Sequence, residues 1–142
     1  MANSKSRGVA YADPILDGPI ITNKDHFPVA INATATATPA QVASGYITST
    51  STAAVTITLP TGALLGQYLG ATQGTVLDLS VDNTAGANVV TIAVATNGIL
   101  NALATAVPAS SGLLTVAAGV TGNSMFTIVF SSPTTYTFSR TN

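Results

Sequence analysis

The sequence predicts an all-β chain: an antiparallel β-sandwich or jelly-roll-like domain behind an extended N-terminal arm. Three observations lead there. Short runs alternate apolar with small or polar residues, as in Val55-Thr56-Ile57-Thr58-Leu59, Leu77-Asp78-Leu79-Ser80-Val81 and Val90-Thr91-Ile92-Ala93-Val94. Side chains on a strand point to opposite faces with period two, so each run offers one face to a core. Turn-forming residues separate the runs, most plainly Asn83-Thr84-Ala85-Gly86-Ala87-Asn88, which predicts a β-hairpin between the runs at 77–81 and 90–94. Finally, Pro14, Pro19, Pro28 and Pro39 punctuate the first 40 residues, where fixed φ and a restricted preceding residue exclude a long helix.

Taken in order, residues 1–40 form the arm. Tyr11, Ile15, Leu16, Ile20, Ile21 and Phe27 are its candidate partner-binding residues, because so many apolar groups need a surface to lie on. The arm either packs back on its own domain as edge strands or reaches onto a neighbour. The prolines and the full set of strands expected behind it favour the neighbour, and 40 extended residues span on the order of 130 Å. Residues 33–38, Ala-Thr-Ala-Thr-Ala-Thr, read as a bridge that could be strand or linker.

The domain proper is expected at 41–142. A first strand is expected at 42–50 with Tyr46 and Ile47, a turn at 49–52, and a second strand at 55–59 ended by Pro60. Thr61 is a candidate cap for one or two helical turns over 61–69, with Leu64, Leu65, Tyr68 and Leu69 as the apolar face. Gly62, Gly66 and Gly70 have the spacing of membrane-helix dimers, but this run is short and reads as a plug at the end of the sheets. Residues 96–111 are irregular, and 113–117 read as a strand followed by a turn at 118–123. Strands at 125–130 and 134–140 place Phe126, Ile128 and Phe130, then Tyr136 and Phe138, on core faces.

Composition narrows function. With 142 residues the chain can bury one real core. It has no cysteine, so disulfides and thiolate metal sites are excluded. A formal charge of −1 with four basic residues argues against nucleic acid as a partner. Charged residues make up 6% of the chain, against about 25% in ordinary domains, and between His26 and Arg140 the only ones are Asp78 and Asp82. So uncharged a surface predicts association with other subunits. Asn88, Asn97 and Asn101 interrupt every window of about 18–20 residues that could cross a membrane. The few aromatics do not supply the girdles of an outer-membrane barrel, and no apolar run follows Lys5 and Arg7 as in a signal peptide. No membrane partner is expected.

Catalytic chemistry finds little support. On a strand, Asp78 and Asp82 share a face but sit roughly 13 Å apart, too far for one metal ion or a glycosidase pair. They read as charges blunting an exposed strand. Asp82 could join Asn83 and Asn88 in a loop calcium site, although no calcium-loop signature is present. His26 lacks further ligands for a metal, and neither G-x-S-x-G nor a phosphate-binding glycine loop occurs. The expectation is a non-enzyme with no cofactor and no metal.

The pattern G-Y-I-T…V-T-I-T-L-P-T…G…L-S-V-D-N-T-A-G-A-N-V-V-T-I…G…F-T-I-V-F, spanning residues 45–138, resembles the small β-rich head decoration (cement) proteins of tailed bacteriophages. The resemblance implies a protein on the outer surface of the virion, commonly a homotrimer. It would bind the major capsid protein and clamp neighbouring capsid subunits. That family has no catalytic residues to carry over. Related modules in head fibres and tail-associated proteins keep a receptor- or glycan-binding role open as the alternative.

Overall fold

The computed structural model describes residues 26–100 and 115–141. Ten strands, two short α-helices and a single 3-10 turn (Gly119–Thr121) lie there: β1 (Val29–Ala30), β2 (Ala35–Thr36), α1 (Pro39–Ala43), β3 (Tyr46–Thr48), β4 (Val55–Thr58), α2 (Gly62–Leu69), β5 (Val76–Asp82), β6 (Val90–Ala93), β7 (Gly98–Leu100), β8 (Thr115–Val116), β9 (Asn123–Ser132) and β10 (Thr135–Arg140). They form two sheets, a six-stranded one in the order β1-β3-β5-β9-β10-β7 and a four-stranded one in the order β2-β4-β6-β8. The mainly-β expectation holds.

The expected antiparallel pairing holds only in part. From β1 to β6 the chain changes sheet at every strand, and each strand lies parallel to the one two places before it: β3 on β1, β4 on β2, β5 on β3 and β6 on β4. The hairpin expected across residues 83–88 is absent, because β5 and β6 belong to different sheets. Parallel neighbours need a connection that carries the chain back to its starting end, and here the strand in the opposite sheet supplies that return. Alternation of period two is identical in both arrangements, since each strand buries one face against the same core. After β6 most pairing is antiparallel, β9 with β5, β10 with β9, and β8 with β6, while β7 lies parallel to β10 at the sheet edge.

Both sheets contribute inward columns to one core. Val29, Ile47 and Val81 are in register across β1, β3 and β5, and the buried Ile57 and Ile92 across β4 and β6, with the exposed Ala35 of β2 beside Ile57. Phe126 stacks on Phe138 at 4.9 Å between ring centroids, and Phe130 meets Tyr136 at 5.8 Å. All four are buried, as alternation in their strands predicts.

The strand expected at 42–50 is corrected to a helix followed by a short strand. Thr38 and Gln41 form a capping box, with Pro39 in the first turn, so Val42 is buried on α1 and Gly45, at φ 76°, turns the chain into β3. Residues 29–37, expected in the arm, belong to the sheets: β1 and β2 pair with β3 and β4, and Ile31 and Ala37 are buried. The boundary expected at residue 41 therefore falls inside the folded unit.

The helical turn expected at 61–69 is present as α2, capped by the Thr61 side chain accepting from the Leu64 N–H. Leu65 is buried, whereas Leu64 and Tyr68 of the expected apolar face are more than half exposed. Gly62 and Gly66 lie against the Thr134 and Pro133 carbonyls at the β9–β10 turn, where no Cβ fits.

Candidate functional site

The outward face of the six-stranded sheet is built by strand register. Val76 on β5, Val129 on β9, Thr137 on β10 and Ile99 on β7 stand side by side in one row across four strands. Val76 is 57% exposed and Ile99 51%. The half-buried Val129 and Thr137 lie between these two exposed ends. Met125, Ser80 and Tyr46 form a parallel row further along the same face.

Asp78 and Asp82 lie on this face, but β5 is an interior strand between β3 and β9. The expectation that they blunt an exposed strand edge is therefore corrected. Asp78 accepts a cross-strand hydrogen bond from the Thr127 hydroxyl at 3.0 Å. Asp82 pairs with a different strand, accepting from the Tyr46 hydroxyl at 2.8 Å. It also accepts from the Thr84 N–H at 2.9 Å and the Thr84 hydroxyl at 2.7 Å. The Thr84 hydroxyl, then the Thr84 N–H, then Tyr46 favour the ionised carboxylate and hold Asp82 below the usual carboxylate range. Tyr46 is pushed the other way, first by its bond to Asp82 and then by burial.

This pair borders an open groove of about 420 Å³ whose walls include Pro28, Tyr46, Thr48, Asp82, Thr84 and Ala85. It runs along β3 between Pro28, just before β1, and the loops that follow β3 and β5. Its lining surface is mostly apolar, with a few hydroxyls and one fixed carboxylate as its hydrogen-bonding groups. Sequence reasoning missed it, because only the parallel register, which sets Thr48 beside Asp82 and Tyr46 beside Ser80, brings residues 46 and 82 together.

The calcium reading of Asp82, Asn83 and Asn88 is corrected. Asn83 is buried and its amide nitrogen donates to the Asn88, Ala117 and Val116 carbonyls at 2.8, 2.9 and 3.4 Å. The Asn88 amide donates to the Thr52 carbonyl at 2.6 Å, and the Asp82 carboxylate turns to Tyr46 and Thr84. The three side chains knit loops together and do not converge. Among the described residues no three His, Cys, Asp or Glu side chains cluster as metal ligands.

Of the candidate partner-binding residues, Phe27 is 78% exposed. Tyr11, Ile15, Leu16, Ile20 and Ile21 lie outside the described residues. His26 donates from Nδ1 to the Ser44 carbonyl at 2.8 Å.

Known protein families, characterised proteins and solved structures yield no match to this chain. The functional reading rests on the sequence and on the geometry above.

Proposed function

We propose that the chain is a structural virion protein that binds the outside of an icosahedral phage capsid as a trimer and clamps neighbouring capsid subunits. The observation that carries this reading is the row Val76–Val129–Thr137–Ile99, with exposed apolar side chains at both ends, on a surface with very few charges. Such a surface suits a protein covered by neighbours in an assembly. The resemblance of residues 45–138 to capsid decoration proteins points the same way. In this reading the two sheets are the layers of a sandwich wound as a coil. Tyr11, Ile15, Leu16, Ile20, Ile21 and Phe27 lie over a neighbouring subunit, each large side chain contributing about 1.5–3 kcal/mol before ordering costs. Repetition over many copies strengthens the clamp.

The test is removal of residues 1–25, which leaves β1 intact, followed by measurement of capsid association and of particle resistance to heat. The truncated protein is expected to lose both. Decoration and stabilisation equal to those of the full chain would refute the arm clamp, and a monomeric mass both free and bound would refute the trimer. A second reading, a glycan- or receptor-binding module, draws on the groove with Tyr46 and Asp82. It expects hits on a glycan array that vanish in Tyr46→Ala.

A further inference from the structure

The groove holds an anion without a cation. Among the described residues no ion pair to Asp82 is present, and its carboxylate is fixed by Tyr46 and Thr84 rather than by a basic group. A carboxylate offers about four lone-pair positions. Oδ1 already accepts from the Thr84 N–H and hydroxyl and Oδ2 from Tyr46, so one position on Oδ2 is left for a single further donor. That geometry suits an ammonium, a compact point charge, better than a guanidinium fork that wants two oxygens.

The cations of this chain are placed unevenly. Arg140 is held at the end of β10, donating to the Thr115 carbonyl at 3.0 Å and the Ser124 hydroxyl at 2.6 Å. The other three, Lys5, Arg7 and Lys24, all precede the described residues. Lys24 adjoins Asp25, which offsets its charge, and it sits two residues from His26, tied to Ser44 at the start of β3. Lys5 and Arg7 have no acidic neighbour before Asp13. Residues 1–25 could span roughly 80 Å if extended, ample to reach another subunit.

We propose that the groove bounded by Pro28, Tyr46, Thr48, Asp82 and Thr84 receives the Lys5–Arg7 segment of a second copy of this chain, with the Lys5 ammonium on Asp82. The hydroxyls of the groove solvate the ammonium's remaining N–H groups, and Pro28 and Ala85 give the lysine stem an apolar wall. The inference rests on the arm reading above and adds to it a specific contact between copies. It gives the arm a polar register point that apolar contacts alone do not supply.

The experiment mixes isotopically light and heavy full-length protein, allows the subunits to exchange, and treats the mixture with a carbodiimide. This reagent joins a carboxylate to an amine that touches it, with loss of water. Mixed light–heavy crosslinks between the Asp82 and Lys5 peptides are expected, and Asp82→Asn should abolish them. Asp82→Asn should also weaken self-association by roughly fivefold, the scale of one partly exposed ion pair, and Asp82→Lys combined with Lys5→Asp should restore it. Crosslinks confined to one isotope, crosslinks to Lys24, or no crosslink at Asp82 would each overturn the proposal. So would a glycan that shifts the Tyr46 and Thr84 resonances while leaving self-association unchanged. If removal of residues 1–25 abolishes capsid association while Asp82→Asn has no effect, the arm clamp stands and this contact falls.

Discussion

Two buried polar side chains show how much single residues decide here. Tyr136 is fully buried, and its hydroxyl donates to the Pro60 carbonyl at 2.9 Å, joining β10 to the second residue past β4. Burial pushes its phenol from an ordinary 10.0 up to about 12. As pH rises the unfolded chain loses this proton first, so the stability it contributes is complete below pH 10 and is lost between there and about 12. Tyr136→Phe is expected to flatten that alkaline fall in a denaturant series run across pH, and to cost about 1 kcal/mol at neutral pH through the unpaired carbonyl. Asn83 carries a larger load, since its amide nitrogen serves three carbonyls while Oδ1 lies against Gly86 without a hydrogen-bond partner among the described residues. Asn83→Ala is expected to cost about 1–3 kcal/mol. Asn83→Asp should cost more at neutral pH, because a carboxylate would face those carbonyls. The folded state raises that carboxyl's pKa, so the stability of Asn83→Asp should recover as pH falls, a sign that urea melts at two pH values would read directly.

At the scale of elements, α2 makes the sharpest case. Gly66 touches the Pro133 carbonyl and a Cβ there would collide with backbone, whereas Gly70, the C-cap at φ 61°, has open space around it. Gly70→Ala is expected to cost about 1–2 kcal/mol from left-handed strain alone. Gly66→Ala should cost at least as much by pushing α2 off the hairpin, and in thermal melts it alone should also loosen exchange protection at the β9–β10 turn. The plug was legible in the sequence because Thr61, the glycine spacing and the leucines all sit within ten residues. The faces of β9 and β10 were legible for the same reason, each strand carrying its own aromatic alternation. Pairing was not. Leu77–Val81 and Val90–Val94 look like a hairpin because a turn-rich link and two half-buried runs are common to both outcomes. What decides between them is which sheet the second run joins, and that depends on β4 lying ready to accept β6. The signals of α1 are short-range, Thr38, Pro39 and Gln41, and they sit beside the Ala-Thr alternation of residues 33–38, which suits a strand or a linker as well. The groove stayed hidden because its members, Tyr46 and Asp82, meet only through parallel register.

For the whole molecule, winding means that the first turn of the coil stabilises the next, so the fold has a definite beginning. β1 and β2 lie on β3 and β4, Ile31 donates its N–H to the Thr48 carbonyl, and Ala37 donates to Thr58. Asn32 accepts from the Thr50 N–H at 2.8 Å and the Thr34 hydroxyl oxygen from the Thr56 N–H at 3.1 Å, so the loops between turns are also tied. A chain begun at residue 26 keeps all of these, and a chain begun at 41 loses them together with the Thr38 cap. The first truncation is expected to unfold within about 0.5 kcal/mol of the full protein in dilute solution. The second should lose the burial of Ile31, about 1.5–3 kcal/mol, and a helix cap worth about 1 kcal/mol, and should expose Ile47 and Ile57 at a raw edge. Chemical denaturation of the three chains at low concentration, where self-association does not contribute, separates the outcomes. Equal stability for all three would mean that β1 and β2 merely rest on the coil, and the unit that folds would then begin where composition alone had placed it.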